Sequence, residues 1–274
     1  MYIKFTPKQN KFGFALGLHY LCKTNQKLKK MKKLVVLLLC ALAFFGFQSC
    51  HRNETKETPV RVLLVTSGGE NIVCEDFTIF LNHLPIEYSH YQYPYAHDKL
   101  TPDLVGKYDV VMLFNITPHI TDEAQQNFIA MLEKGIGLLV FHHAIWSYDY
   151  WPEFTNIVGG RGHHYPWIYN GEEQPRSLVR HDTPMSIHVV DPNHPITKGV
   201  SDFEVIDEAY RGLEILPHVT PLLSTDSEWS APLVAWAHEY GNSRVATITL
   251  GHCARVWEHP ALIQVVSQAI KWAK

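Results

Sequence analysis

Short apolar runs rich in β-branched residues alternate with segments of helical spacing along most of this chain, and few folds accept that order. The first run is Val60-Arg-Val-Leu-Leu-Val-Thr66, followed by Ile86–Tyr91, Tyr108–Phe114 and Leu138–His143. Between them, residues 74–84 place Phe77, Phe80, Leu81 and Leu84 on one helical face. Thr121 to Lys134 predicts a second helix, with Thr121 as its cap, Ala124, Phe128, Ile129 and Leu132 as its apolar stripe, and Gly135 as its stop. This β-α-β-β-α-β order predicts an α/β fold, an open and mainly parallel sheet with helices on both faces. In such sheets ligands bind beyond the carboxyl ends of the strands.

The second half reads differently. Residues 147–175 are rich in aromatics, glycine and proline and predict a long loop with a short helix near Glu153–Val158. Extra β elements follow at Met185–Val190, Phe203–Ile206, Thr220–Leu223, Leu233–His238 and Arg244–Leu250, the last two joined by a Tyr240-Gly241-Asn242 turn. Pro260 to Ala273 is a closing amphipathic helix, and no internal repeat is visible.

The N-terminus belongs to another compositional class. Residues 1–50 hold nine lysines and no Asp, Glu or Arg, which leaves 15 basic and 27 acidic residues, a net −12, in residues 51–274. An acidic domain repels phosphate backbones, so nucleic acid is not an expected partner. Met31-Lys32-Lys33, the apolar run Leu34–Phe47 and Ser49-Cys50 have the layout of a lipoprotein signal, with Cys50 as the lipidated residue and Met31 as an alternative start. The expected organisation is a targeting segment over 1–50, a linker over 51–58 and one domain over 59–274, tethered by its lipid to the membrane of the cell envelope. Beyond Cys50 only Cys74 and Cys253 remain, as a pair or as two free thiols, and no thiolate zinc spacing occurs.

Three strand-like runs end in proton-carrying residues. Leu138–Phe141 leads into His142-His143, Phe203–Ile206 into Asp207-Glu208 with Tyr210 next, and the run to Leu250 into Gly251-His252. The Gly159-Gly160-Arg161-Gly162-His163-His164 turn adds two imidazoles, but no helix pattern follows that would make it a phosphate loop. Sixteen of the 17 histidines lie beyond residue 50; His51, His83, His90, His97 and His218 sit in polar contexts and are expected at the surface. Imidazoles with a carboxylate suit acid–base work near neutral pH. They also suit a divalent metal with an open position, although no HExxH spacing is present. Trp146, Trp151, Tyr165, Trp167, Tyr210 and Trp257 lie near these stretches, and aromatic faces over a polar site fit sugar rings.

The ordered set of motifs resembles the trehalose-utilisation (ThuA-like) family. It comprises Leu100-Thr101-Pro102 with Tyr108–Val111, Gly135–Ala144, Ile157–Arg161, His194–Gly199, Asp207–Tyr210, Pro232–Trp236, Tyr240-Gly241 with Arg244-Val245, Leu250–His252, and Ile270–Ala273. The resemblance implies a flavodoxin-like three-layer sandwich of the class I glutamine-amidotransferase type, and a link to trehalose-type carbohydrates. It does not carry glutaminase activity across, because His142-His143 stands at the elbow where that chemistry needs a cysteine. The family commonly has an aromatic after the Gly-Gly-Arg/Lys turn and then a His before Pro, whereas this chain has Gly162-His163-His164-Tyr165-Pro166 and offers two imidazoles as the counterpart.

The leading expectation is an exported protein acting on a sugar or disaccharide derivative. His142, Glu208 and His252 are its catalytic centre: Glu208 or His142 as base, His252 as acid or orienting group. His143, His164, Tyr210 and Trp257 surround it as substrate-binding residues. This reading needs no cofactor. One alternative is a hydrolase with a divalent metal such as zinc on His142 and His252, completed by another His or by Glu208. The other is a carbohydrate-binding module without catalysis.

Overall fold

A computed structural model describes residues 58–67, 75–93 and 96–274. The signal-like stretch, Cys50, most of the linker, the Gly68-Gly69 turn and Cys74 lie outside the described residues. Among the described residues no helix is long and apolar enough to cross a membrane, and Cys253 is a free thiol.

The elements run in the expected order. They begin with β1 (Val60–Thr66), α1 (Glu75–Asn82), β2 (Ile86–Gln92), β3 (Val110–Phe114), α2 (Asp122–Glu133), β4 (Gly137–Phe141) and α3 (Glu153–Val158). Short strands β5 (Gly160–Arg161), β6 (Trp167–Tyr169) and β7 (Glu172–Gln174) precede β8 (Leu178–Val189), β9 (Phe203–Arg211) and β10 (Glu214–Ile215). The chain closes with β11 (Thr220–Thr225), β12 (Leu233–Tyr240), β13 (Ser243–Ile248), α4 (Ala254–Trp257) and α5 (Pro260–Ala273).

One nine-stranded sheet, in the order β2-β1-β3-β4-β13-β12-β11-β8-β9, forms the middle layer. Its first five strands are parallel, and β12, β11, β8 and β9 extend it antiparallel. Strand period explains the two cores. Val62, Leu64, Met112, Leu139 and Ile248 face one side, with Phe77 of α1 and Leu262 and Val266 of α5. Leu63, Val65, Val111, Leu138 and Val140 face the other, with Phe128 and Leu132 of α2 and Phe154 of α3. Helix α2 starts where the sequence places it, because the Thr121 hydroxyl accepts from the Ala124 amide at 3.2 Å.

The edge strands depart from expectation. β9 does not stop at Ile206 but runs on to Arg211, so Asp207 and Glu208 lie within a strand and not at its exit. β8 starts at Leu178, seven residues before the apolar run that signals it. These two strands pair along their length except at a bulge, where the register passes from Arg180–Ala209 to Thr183–Asp207. The added part of β8, residues 178–182, is exposed, and the added part of β9 carries Glu208 and Tyr210 to a cleft, so neither has the hydrophobic signal a strand normally carries.

Candidate active site

The site is built where β4 and β13 end side by side and Asp207 and Glu208 of β9 reach the residues that follow them. β4 ends at Phe141, and the next residue, His142, adopts a left-handed conformation with φ of 52°. This is a sharp strand-to-helix elbow, a conformation costly for a non-glycine residue and concentrated at functional positions. The His142 ring is buried, 1% exposed. Its Nδ1 lies 2.9 Å from the Thr249 carbonyl at the end of β13. A carbonyl only accepts, so Nδ1 carries the proton and Nε2 turns toward Glu208 and Tyr210.

Glu208 is the hub. Its Oε2 accepts from the Tyr210 hydroxyl at 2.7 Å and lies 3.2 Å from His142 Nε2 and 3.7 Å from His252 Nδ1. Its Oε1 lies 2.9 Å from His181 Nδ1. Burial pushes the Glu208 carboxyl up, but hydrogen bonds to His142 and Tyr210 and the charges of His142 and His252 outweigh it and hold the group at about 2. Glu208 is therefore a carboxylate at any working pH. Burial, then the Glu208 charge, raises Tyr210 well above the ordinary phenol value, so Tyr210 is a neutral donor.

The third strand end is fixed by Asp207. Its carboxylate accepts from the Gly251 amide at 2.7 Å and the His252 amide at 3.0 Å. Gly251 has φ of +125°, and a Cβ there would clash with the Phe141 ring, so only glycine lets His252 approach the elbow. The His252 ring centroid then lies 5.4 Å from that of His142. His142, Glu208 and His252 thus come together, with one donor atom of each within 4.8 Å of the others.

A cleft of about 410 Å³ opens beside this centre, lined by His143, Trp146, His164, Arg176, Glu208 and Tyr210 among others. Burial, then the His142 charge, lowers His143 to about 3, so its imidazole is neutral. His143 Nε2 and Trp146 Nε1 are buried and have no partner among the described residues. An unpaired acceptor and an unpaired donor beside a cleft suit a ligand carrying hydroxyl groups.

Of the two imidazoles after the glycine turn, His164 lines the cleft, with Nε2 3.3 Å from the Trp146 carbonyl. His163 turns away, stacks on Trp167 at 4.2 Å and pairs with Glu214 at 2.8 Å. The turn itself is structural: Arg161 is buried and donates to the Ser147 and Tyr148 carbonyls. Trp257 does not line the cleft. It is buried, donates from Nε1 to the Gly251 carbonyl at 2.7 Å and packs edge-on to Phe77. Trp151 is also core. His97, expected at the surface, is buried and bonded to the Tyr148 hydroxyl at 3.0 Å.

Sequence reasoning missed His181. It sits in the β8 bulge opposite Glu208, and the extra residue there turns its ring toward that carboxylate. The only trace in the sequence is the adjacent Asp182, a residue type that tolerates the left-handed φ of 47° found there.

The profile of the ThuA family, described as trehalose utilisation, matches residues 64–273. No curated protein matches the chain. Among solved structures, a ThuA-like protein from Parabacteroides merdae superposes with a TM-score of 0.66 at 17% identity, over 78% of this chain and 90% of that one. A ThuA-like protein from Bacteroides uniformis gives 0.58 at 18% identity, over 79% and 92%. A cytoplasmic protein from Salmonella typhimurium gives 0.55 at 15% identity, over 77% and 98%. At these identities the likeness is one of fold.

Proposed function

The chain belongs to the ThuA family of trehalose-utilisation proteins, and from that premise we propose that it is an exported, lipid-anchored enzyme that processes a sugar or disaccharide derivative by proton transfer. The observation that carries this reading is the Glu208 carboxylate, surrounded by Tyr210, His142, His181 and His252 at 2.7 to 3.7 Å beside an open cleft. The division of labour follows from the charges. Glu208 stays ionised and is a weak base, so it serves as the fixed anion that stabilises positive charge on His142. His142, with Nδ1 held by Thr249, presents Nε2 as the base for a proton next to a carbonyl. Tyr210 and His252 are the donors within reach of the leaving oxygen. His143, Trp146 and His164 bind hydroxyl groups. The unpaired His143 and Trp146 nitrogens favour a polyhydroxylated ligand over an apolar one. Export rests on Met31-Lys32-Lys33, the Leu34–Phe47 run and Ser49-Cys50, and the net −12 of residues 51–274 disfavours nucleic acid as a partner.

The test is a saccharide panel that includes trehalose and its carbonyl-bearing oxidation products, followed for both binding and product. The enzyme reading expects a product from at least one member. Binding to the cleft without any product would replace it with the binding-module reading.

A further inference from the structure

We propose that His142, Glu208 and His252 hold a divalent cation of the zinc class, with its free coordination positions open to substrate. The inference rests on the sugar-processing reading and names the agent at that centre: with the cation bound, His142 Nε2 and His252 Nδ1 are ligands, and a cation-bound water takes the place of the imidazole as base.

Three observations carry it. The first is spacing. Two ligands at zinc–nitrogen and zinc–oxygen distances, set at the tetrahedral angle, lie about 3.3–3.6 Å apart. His142 Nε2 is 3.2 Å from Glu208 Oε2, and His252 Nδ1 is 3.7 Å from the same oxygen. The second is convergence. One donor atom from each of the three side chains lies within 4.8 Å of the others, although they come from three separate segments.

The third is the outer support. Metal-bound imidazoles usually donate their other ring N–H to a carbonyl or carboxylate, and ligand carboxylates are themselves hydrogen-bonded. Thr249 takes that place for His142, His181 and Tyr210 for Glu208, and Asp207 fixes the backbone of His252. Two imidazoles with one carboxylate favour zinc, iron or manganese over calcium and magnesium, which prefer all-oxygen sites. A cation held by three ligands retains room for water or a sugar oxygen, and it lowers the pKa of that water toward neutrality. The His252 side chain is 42% exposed, so the site is open to exchange.

The experiment uses the full chain, purified without a histidine tag, stripped with a chelator and titrated with zinc and separately with cobalt. One equivalent of zinc should survive desalting, and the cobalt form should show visible d–d bands of a nitrogen–oxygen site. His252→Ala alters a half-exposed residue and keeps the fold, and it should weaken zinc binding at least 100-fold, as should Glu208→Gln. His181→Ala should retain one equivalent with affinity reduced about 10–100-fold. Absence of stoichiometric zinc and cobalt in the parent chain, or binding unchanged in His252→Ala and Glu208→Gln, overturns the proposal. The two readings fail separately. Sugar turnover that survives complete chelation removes the cation and leaves proton transfer. Tight zinc at these residues with no product from any sugar keeps the cation and removes the enzyme.

Discussion

His97 lies in a polar stretch of sequence between Ala96 and Asp98, yet its ring is buried against Tyr93 and Tyr148. Burial lowers it from an ordinary value near 6.5 to about 4, with only a partial offset from Asp98. The unfolded chain therefore binds a proton at moderately acid pH that the folded chain refuses. Stability from this group is complete above the unfolded value and is lost as pH falls from about 6.5 toward about 4. Urea unfolding of the parent chain and of His97→Gln at pH 7 and pH 5 should show the parent losing more stability between the two; equal losses would contradict the burial argument. The same residue marks a limit of sequence reading. Local polarity gave no hint of burial, because the hydrogen-bond partner of His97, Tyr148, lies 51 positions away. His142 and His252 were legible because each follows a buried apolar run directly. Glu208 was legible as a residue but not as a mid-strand one, and His181 was not legible at all.

The parallel strands β1, β3 and β4 carry runs of β-branched or other large apolar residues buried on both faces, and such runs are visible in any sequence, whereas β2, at the opposite edge, is largely exposed. β9 is the sheet edge and β8 its neighbour; the first part of β8 is exposed and β9 carries Glu208 and Tyr210 to the cleft, so neither keeps a clean apolar alternation. The elements hardest to read from sequence were therefore those that carry Glu208, Tyr210 and His181. The glycine turn after α3 was visible, but its purpose was not. A Cβ at Gly162 would sit 2.5 Å from the Trp146 indole, which forms part of the cleft wall. Gly162→Ala should push that ring toward the cleft, destabilise the fold by about 1–3 kcal/mol and raise the KM for sugar more than it lowers kcat. A substitution that leaves both Tm and KM unchanged would show that the turn and the cleft wall are independent.

Across the whole molecule, a parallel five-stranded core positions the ends of β4 and β13, and an antiparallel extension carries a carboxylate over them. The overall architecture was readable from the chain because alternation of strands and helices dictates it; the convergence of three separate segments on Glu208 is a tertiary fact that no local pattern records. The proposed lipid anchor belongs to this scale as well. Cells expressing the full chain should hold it in the membrane fraction, and Cys50→Ala should shift it to the soluble fraction; an unchanged distribution would remove lipidation at that residue. The central claim is that the β4 elbow places the His142 imidazole at the reacting centre for a sugar. Its most direct test is the turnover rate of His142→Asn on the sugar that the parent chain converts, since asparagine tolerates the left-handed backbone and removes only the imidazole. The account predicts a folded variant that still binds the sugar and turns it over about 10²–10⁴-fold more slowly, and undiminished turnover would contradict it.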